Sequence, residues 1–178
     1  MKKFLFSIFL GALCMAQTFA QSNSKIAVVY FSCTGNTERL ANTTAKALNA
    51  DILQIEPVKA YTSADLNWHD KSSRSTIECN DAKSRPAIKN IDVSKYDTII
   101  VAYPIWWYDA PKAVYTFVDN ANLTGKTIVP ICTSGGSGIG KSGTNLEKSC
   151  GKGNWKNGKL FNSRTSEKEI KDFFDKVL

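Results

Sequence analysis

The chain has 178 residues, with 23 lysines and arginines against 16 acidic residues and a single histidine, which gives a formal charge of +7. This length suits one domain with a packed core, and the composition excludes collagen-like, coiled-coil, disordered and polytopic membrane proteins. One histidine and five cysteines without close pairing disfavour a zinc module, which needs clustered ligands.

The amino terminus has the features of a secretory signal peptide. Two lysines precede an apolar run over residues 4–15, and the small residues Thr18 and Ala20 fit a signal-peptidase site. The apolar run is shorter than the ~20 residues that a membrane-spanning helix needs. We therefore expect residues 1–20 to be removed and residues 21–178 to form one domain, periplasmic or secreted, without membrane contact.

Lipidation and nucleic-acid binding are the weaker interpretations of this region and of the basic charge. A lipoprotein would use Cys14, but Leu13 precedes it where a lipobox has a small residue. Cleavage after residue 20 would remove two lysines and leave a charge of +5. Because the remaining lysines and arginines are scattered, we expect a solvated surface and no nucleic-acid partner.

Apolar runs and amphipathic segments alternate along the rest of the chain. Unbroken apolar runs, typical of strands covered on both faces, predict strands at residues 25–31, 51–55, 98–103, 126–132 and 159–161. Helical spacing of apolar residues predicts helices at residues 38–49, 111–120 and 166–178. The polar stretch over residues 59–90 predicts only a helix at about 63–79, followed by a long connection. This alternation favours an α/β fold with a parallel sheet between two layers of helices.

The turn from the first strand into the first helix has the features of an anion site. Free backbone N–H groups and the positive end of the helix dipole meet there, and a glycine allows a tight turn. The turn carries hydroxyl and amide groups but no lysine or arginine, so it would hold a phosphate with neutral donors. Its residues are Ser32, Cys33, Thr34, Gly35, Asn36 and Thr37. An ordinary helix cap made by Ser, Thr or Asn is the structural alternative.

Two further loops follow the third and fourth predicted strands. The first has adjacent aromatic residues, of which at least one is expected to stack on a flat ligand: Pro104, Ile105, Trp106, Trp107 and Tyr108. The second is rich in glycine, which lets backbone amides approach a ligand: Thr133, Ser134, Gly135, Gly136, Ser137 and Gly138. In a doubly wound sheet of order 2-1-3-4-5, all three loops border one crevice. A phosphate site, a flat ring and amides together describe flavin mononucleotide (FMN).

Three segments resemble the flavodoxin family, whose phosphate loop and two flavin-flanking loops look like residues 29–37, 103–111 and 133–138. The resemblance extends over about residues 25–178 and implies a three-layer sandwich with a five-stranded parallel sheet of order 2-1-3-4-5. It also implies noncovalent FMN and electron transfer with a redox partner protein or a small electron acceptor. By motif, residues 32–37 would hold the phosphate, and the other two loops would contact the isoalloxazine. Trp106 or Tyr108 would stack on the ring.

Two features depart from that family. Electron-carrier flavodoxins are typically acidic, whereas this chain is basic, and its signal peptide would place it away from cytosolic NAD(P)H. Three functions therefore stay open: an electron carrier, a flavin-dependent reductase of quinone-like or azo substrates, and a binding module that has lost the flavin. We expect no side chain to act as a general acid or base, because the flavin would supply the chemistry.

A competing motif lies at residues 135–142, which satisfy the nucleotide phosphate-loop pattern G-x-x-x-x-G-K-[ST]. Gly143 weakens the helix that should follow, and no apolar strand ends in the aspartate that would hold magnesium. A nucleotide triphosphatase is therefore the weaker interpretation.

Isolated reactive residues have simple interpretations. His69 lies in a polar stretch and is predicted to be at the surface, whereas Cys33 lies near a helix start that would stabilise a thiolate. Cys33 and Cys132 end strands about 10 Å apart in the expected order, which disfavours a disulfide between them. Cys79 with Cys150 is the remaining pair.

Overall fold

The structure is a computed structural model that describes residues 25–178. The expected signal peptide and Cys14 lie outside the described residues. The elements in chain order are β1 (Ile26–Tyr30), α1 (Asn36–Leu48), β2 (Asp51–Gln54), α2 (Arg74–Asn80), β3 (Thr98–Pro104), α3 (Lys112–Asn120), β4 (Thr127–Thr133), α4 (Ser142–Cys150), β5 (Asn154–Trp155), β6 (Lys159–Leu160) and α5 (Glu167–Val177). None of the helices within residues 25–178 is long and apolar enough to cross a membrane.

The sheet is parallel throughout, in the order β2-β1-β3-β4-β5, and β6 also pairs with β4. Alternate side chains of β1, β3 and β4 enter two separate apolar clusters, one on each face. One cluster includes Leu40 of α1 and Phe174 of α5, and the other includes Phe117 of α3 and Leu146 of α4. The predicted α/β sandwich and its strand order are confirmed. The chain buries both faces because its three central strands are apolar along their whole length.

The fifth strand position is divided between β5 and β6. On β4, the carbonyl groups of Ile128 and Cys132 accept hydrogen bonds from the segment that contains β5 and β6. Pro130 lies midway between them and faces the same segment, but it has no N–H to donate. The edge bulges by one residue beside the proline, where a Cβ on Gly158 would overlap the Pro130 carbonyl oxygen. The predicted strand at residues 159–161 is therefore only the second half of this position.

The connection between β2 and α2 corrects one prediction, because α2 begins at Arg74 and the expected helix at residues 63–79 is absent from its first half. Side chains form turns there instead. Asp65 accepts the backbone N–H of Thr62 at 2.8 Å, and Asp70 accepts that of Ser72 at 2.8 Å. Such local bonds compete with helical hydrogen bonds, and they favour turns over a helix.

Helix α4 was not expected, because Gly143 lies in its first turn. Glycine costs a helix about 1 kcal/mol relative to alanine. The helix forms because Leu146 is fully buried and Ser142 Oγ donates to the Ile139 carbonyl at 2.7 Å. The last helix, α5, is capped by Ser166, whose Oγ accepts the N–H of Glu169 at 3.3 Å.

Candidate functional site

The carboxyl ends of β1, β3, β4 and β6 surround one pocket of about 680 Å³. Its volume lies within the usual range for small-molecule and cofactor sites. The structure brings most of the predicted site residues to this pocket: Ser32, Cys33, Thr34, Asn36, Thr37, Pro104, Ile105, Trp106, Trp107, Tyr108, Thr133, Ser134 and Gly135. The other four, Gly35, Gly136, Ser137 and Gly138, do not line it.

The loop between β1 and α1 leaves the start of the helix open. Gly35, with a φ of 81°, is the residue before the helix, and no side chain caps it. The backbone N–H groups that begin α1 have no acceptor within the helix. Ser32 Oγ accepts the N–H of Gly35 at 3.2 Å and holds the turn. The alternative of a helix cap made by Ser, Thr or Asn is therefore not what the structure shows.

A hydrogen bond between two threonines forms the floor of the pocket. Thr37 Oγ1 and Thr133 Oγ1 lie 2.8 Å apart, and both residues are buried. Thr37 belongs to α1 and Thr133 ends β4, so this bond joins two separate elements of the fold. The bond holds the loop at residues 32–37, which we call the phosphate-type loop, at a fixed distance from the glycine-rich loop at residues 133–138.

The aromatic loop after β3 is a tight turn closed by two backbone hydrogen bonds between Trp106 and Asp109. Trp107 and Tyr108 occupy its centre with φ of 48° and 64°. This left-handed conformation costs a non-glycine residue about 1–2 kcal/mol. Asp109 anchors the turn, because it accepts the Tyr115 hydroxyl of α3 at 2.8 Å. The protein thus holds two large aromatic side chains at the pocket in a strained turn.

The three aromatic residues of this turn have different surroundings. Trp106 is half-buried, and its ring contacts those of Phe31 and Tyr61 edge-on, each at 5.5 Å between centroids. Tyr108 is 81% exposed. Trp106 therefore forms part of the pocket wall, whereas Tyr108 stands free at the pocket rim.

The glycine-rich loop after β4 folds back on itself. Ser134 Oγ accepts the N–H groups of Gly136 and Ser137, at 3.2 and 2.9 Å. Ser142, which would bind magnesium in a nucleotide phosphate loop, is fully buried and lies 3.0 Å from the Tyr103 hydroxyl. Because the Ser142 hydroxyl is buried in the core, it is not placed to bind magnesium, and the structure does not support the nucleotide triphosphatase interpretation.

Six lining residues were not predicted: Leu66, Trp68, Ser75, Phe161, Asn162 and Ser163. The last three follow β6, and the topology rule could have found them, because the carboxyl ends of parallel strands meet at one edge. Leu66 and Trp68 come from the β2–α2 connection, and Ser75 lies in the first turn of α2. Trp68 is 68% exposed and stacks on the predicted surface residue His69 at 3.5 Å between ring centroids. Trp68 is a large aromatic residue in a polar stretch, and this feature of the sequence could have indicated a role at a binding site.

Cys33 lines the pocket, but its thiol is not activated. Desolvation by the surrounding protein raises its pKa to about 11, and the nearby Glu78 carboxylate acts in the same direction while Arg74 opposes it. The expectation of a stabilised thiolate is therefore wrong, because desolvation by the neighbouring protein outweighs the helix start, although the residue keeps an exposed surface. No charged side chain is among the described residues that line the pocket, which is a neutral site.

The four cysteines within the described part of the chain are free thiols, so the pairing of Cys79 with Cys150 is not formed. Cys150 Sγ lies 3.6 Å from the Glu147 carbonyl oxygen, at the end of its own helix. Cys79 lies on α2, where burial raises the pKa of its thiol to about 12. Within residues 25–178, no group of three His, Cys, Asp or Glu residues is placed to hold a metal ion.

A family model described as Flavodoxin matches residues 25–177. The chain belongs to the flavodoxin family. Among solved structures, a candidate flavoprotein from Bacteroides eggerthii is 48% identical, covers 87% of this chain and 98% of its own, and superposes with a TM-score of 0.83. Another from Bacteroides uniformis is 42% identical, with coverages of 85% and 98% and a TM-score of 0.81.

A more distant structure, a flavoprotein from Lactobacillus acidophilus in complex with FMN, shares the fold at 17% identity, with coverages of 86% and 97% and a TM-score of 0.63. None of the curated proteins compared with this chain matches it. The family thus rests on the family model and on the two Bacteroides structures.

Proposed function

We propose that this protein binds FMN in the pocket at the carboxyl edge of its sheet and transfers electrons through it. Membership of the flavodoxin family supports this function, and the Lactobacillus protein of the same fold binds FMN. The observation that carries the proposal is the meeting of the phosphate-type loop and the aromatic turn at one neutral pocket. When bound, the flavin supplies the electron chemistry, and the protein supplies position and environment.

The start of α1 fits a phosphate group. The N–H groups of Asn36, Thr37 and Glu38 are the first of the helix, and the positive end of the helix dipole lies with them. Ser32 and Thr34 add hydroxyl groups at the pocket. Since no lysine or arginine among residues 25–178 lines the pocket, backbone and hydroxyl donors would hold the phosphate dianion.

The aromatic turn fits a flat ring. Trp106 forms a wall, Trp107 and Tyr108 are held in a strained turn, and Gly135 of the glycine-rich loop also lines the pocket. Backbone strain that persists at a pocket is typical of functional loops. The isoalloxazine of FMN would lie between this turn and the glycine-rich loop.

The decisive experiment is an absorption spectrum of the purified protein, followed by titration of the apoprotein with FMN. We expect a yellow protein that binds one FMN per chain and quenches its fluorescence. Riboflavin, which lacks the phosphate, should bind more weakly. A colourless protein that FMN does not reconstitute would support the alternative of a binding module that has lost the flavin.

A flavin-dependent reductase of quinone-like or azo substrates is the second candidate. One observation favours it: Trp68 and Tyr108 stand exposed at the rim, where a planar substrate could stack. Steady-state oxidation of a nicotinamide donor in the presence of a quinone distinguishes the two functions, because an electron carrier alone does not catalyse it.

The proposal includes export of the protein to the periplasm or the medium, which the signal-peptide pattern of residues 1–20 supports. Cell fractionation followed by amino-terminal sequencing tests it, and the expected mature protein begins at Gln21. A full-length protein in the cytosolic fraction would contradict it. The electron donor and acceptor outside the cytosol would be a redox partner protein or a small molecule.

A further inference from the structure

Ser75 on α2 is buried without satisfying its hydroxyl group. The residue is 1% exposed, and it lines the pocket. Its Oγ is the one buried side-chain nitrogen or oxygen within the described residues that has no hydrogen-bond partner. An unpaired buried hydroxyl costs about 1–3 kcal/mol, so proteins seldom keep one without a use. Its place in the pocket points to a partner on a bound ligand.

Arg74, the residue before Ser75, links α2 to the other parts of the pocket wall. The guanidinium carbon of Arg74 lies 3.9 Å from the centroid of the Tyr61 ring, and that ring contacts Trp106 of the aromatic turn. The charge of Arg74 also acts on the Cys33 thiol, in the phosphate-type loop. Ser75 follows Arg74 on α2 and lines the same pocket as the phosphate-type loop and the aromatic turn.

Hydrogen bonds of Arg74 and Glu78 fix the start of α2, which forms the wall of the pocket at Ser75. Arg74 Nε donates to Glu78 at 2.6 Å, and both side chains are largely buried. Arg74 also donates to the Lys59 carbonyl at 2.7 Å, and the Tyr61 hydroxyl donates to Glu78. Because these bonds join α2 to the β2–α2 connection, Ser75 is held on a fixed wall of the pocket.

We propose that the Ser75 hydroxyl binds the ribityl chain of FMN. This inference rests on the proposed function: a phosphate at the start of α1 and a ring at the aromatic turn leave the sugar-alcohol chain between them. The hydroxyl groups of that chain both donate and accept hydrogen bonds, and so does a serine. The start of α2 thereby becomes a further wall of the cofactor site, beyond the loops at the strand ends.

The test compares FMN affinity and apoprotein stability in Ser75→Ala. We expect the Kd for FMN to rise about 3- to 10-fold, since one neutral hydrogen bond is lost. The thermal midpoint of the apoprotein should stay the same or rise, because the variant removes an unpaired buried group. Ser75→Cys, which keeps a small side chain but bonds weakly, should weaken FMN in the same way. Ser72→Ala is the matched control, because its exposed hydroxyl bonds Asp70, and it should leave the Kd unchanged.

FMN analogues that lack one ribityl hydroxyl locate the contact. For one analogue, Ser75→Ala should cause no further loss of affinity, because its partner is already missing. An unchanged Kd for FMN in Ser75→Ala overturns the inference, and so does an equal loss for FMN and every deoxy analogue. In both cases the unaltered protein still binds FMN, so the proposed function stands. Absence of FMN binding by the unaltered protein overturns both.

Discussion

Thr37 on α1 and Thr133 at the end of β4 join two loops of the candidate site through hydroxyl groups 2.8 Å apart. The two residues are 96 positions apart in the chain, and the strands that lead to them are separated by β3. Their bond links the start of the phosphate-type loop's helix to the glycine-rich loop. The geometry of the pocket therefore depends on a contact between two distant segments.

This contact predicts energetic coupling. Thr37→Val and Thr133→Val each keep the shape of the side chain but leave one buried hydroxyl unpaired, so each should lower the free energy of unfolding of the apoprotein by about 1 kcal/mol. The double variant should lose less than the sum, with a coupling energy of about 0.5–1.5 kcal/mol in a double-mutant cycle. Urea denaturation measures all four proteins, and additive losses would contradict the bond.

Thr34, in the phosphate-type loop, has an exposed side chain, so its effect on FMN binding can be measured apart from any effect on the stability of the fold. Thr34→Ala should weaken FMN binding by about 1–3 kcal/mol, because it removes a neutral donor to the phosphate. The free energy of unfolding should not change, since an exposed side chain is lost. Thr124→Ala, also exposed and in the connection before β4, is the control. Equal FMN affinities in titrations of both variants would move the phosphate elsewhere.

The strained aromatic turn predicts a conflict between stability and binding. Tyr108 has a φ of 64° and is mostly exposed, so Tyr108→Gly relieves strain and removes little packing. The apoprotein should become more stable by about 1 kcal/mol, whereas FMN should bind more weakly if the tyrosine stacks on its ring. Thermal unfolding and FMN titration measure the two effects. Tyr108→Phe should preserve both values, because it keeps the ring and the backbone conformation.

The close approach of the fifth strand to β4 predicts a large loss of stability in Gly158→Ala. A Cβ there would overlap the carbonyl oxygen of Pro130 and contact its ring, both fixed parts of the sheet. The cost should be at least about 1–3 kcal/mol, as for overpacked cores. Gly136→Ala, which has no atom within 4 Å of the new Cβ, should change little. Similar urea midpoints for the two variants would show that the edge is not packed as described.

The raised pKa of Cys33 predicts a slow, strongly pH-dependent thiol. With a pKa of about 11, the group is protonated at neutral pH, and its alkylation rate should rise about tenfold per pH unit until the pH approaches that value. Iodoacetamide labelling followed by peptide mass spectrometry isolates this cysteine from the other three. A rate that levels off above about pH 9 would show an unperturbed thiol. Added FMN should slow the labelling, because its phosphate would lie in the same loop.

The fold could be predicted because its strands and helices are marked by patterns of residues that are close together in the chain. Each central strand is an unbroken apolar run, and the order of strands and helices leaves few ways to build a parallel sheet. Once the strand order is assumed, the loops that follow β1, β3 and β4 must meet at one edge, which is why 13 of the predicted site residues line the pocket. Pro130 is visible in the sequence of β4, but the bulge that it imposes on the neighbouring strand is not.

Only the tertiary structure decided how distant polar groups meet. The sequence does not indicate that Ser75 would be buried at the pocket, because the residues around it are polar. The course of the chain before α2 is set by side-chain turns and by the contact of the Arg74 guanidinium with the Tyr61 ring. The helix start beside Cys33 indicated a stabilised thiolate, whereas desolvation raises the pKa of this thiol. Burial and the pairing of polar groups depend on everything packed around an atom, whereas strand and helix formation depend mainly on the residues nearby in the chain.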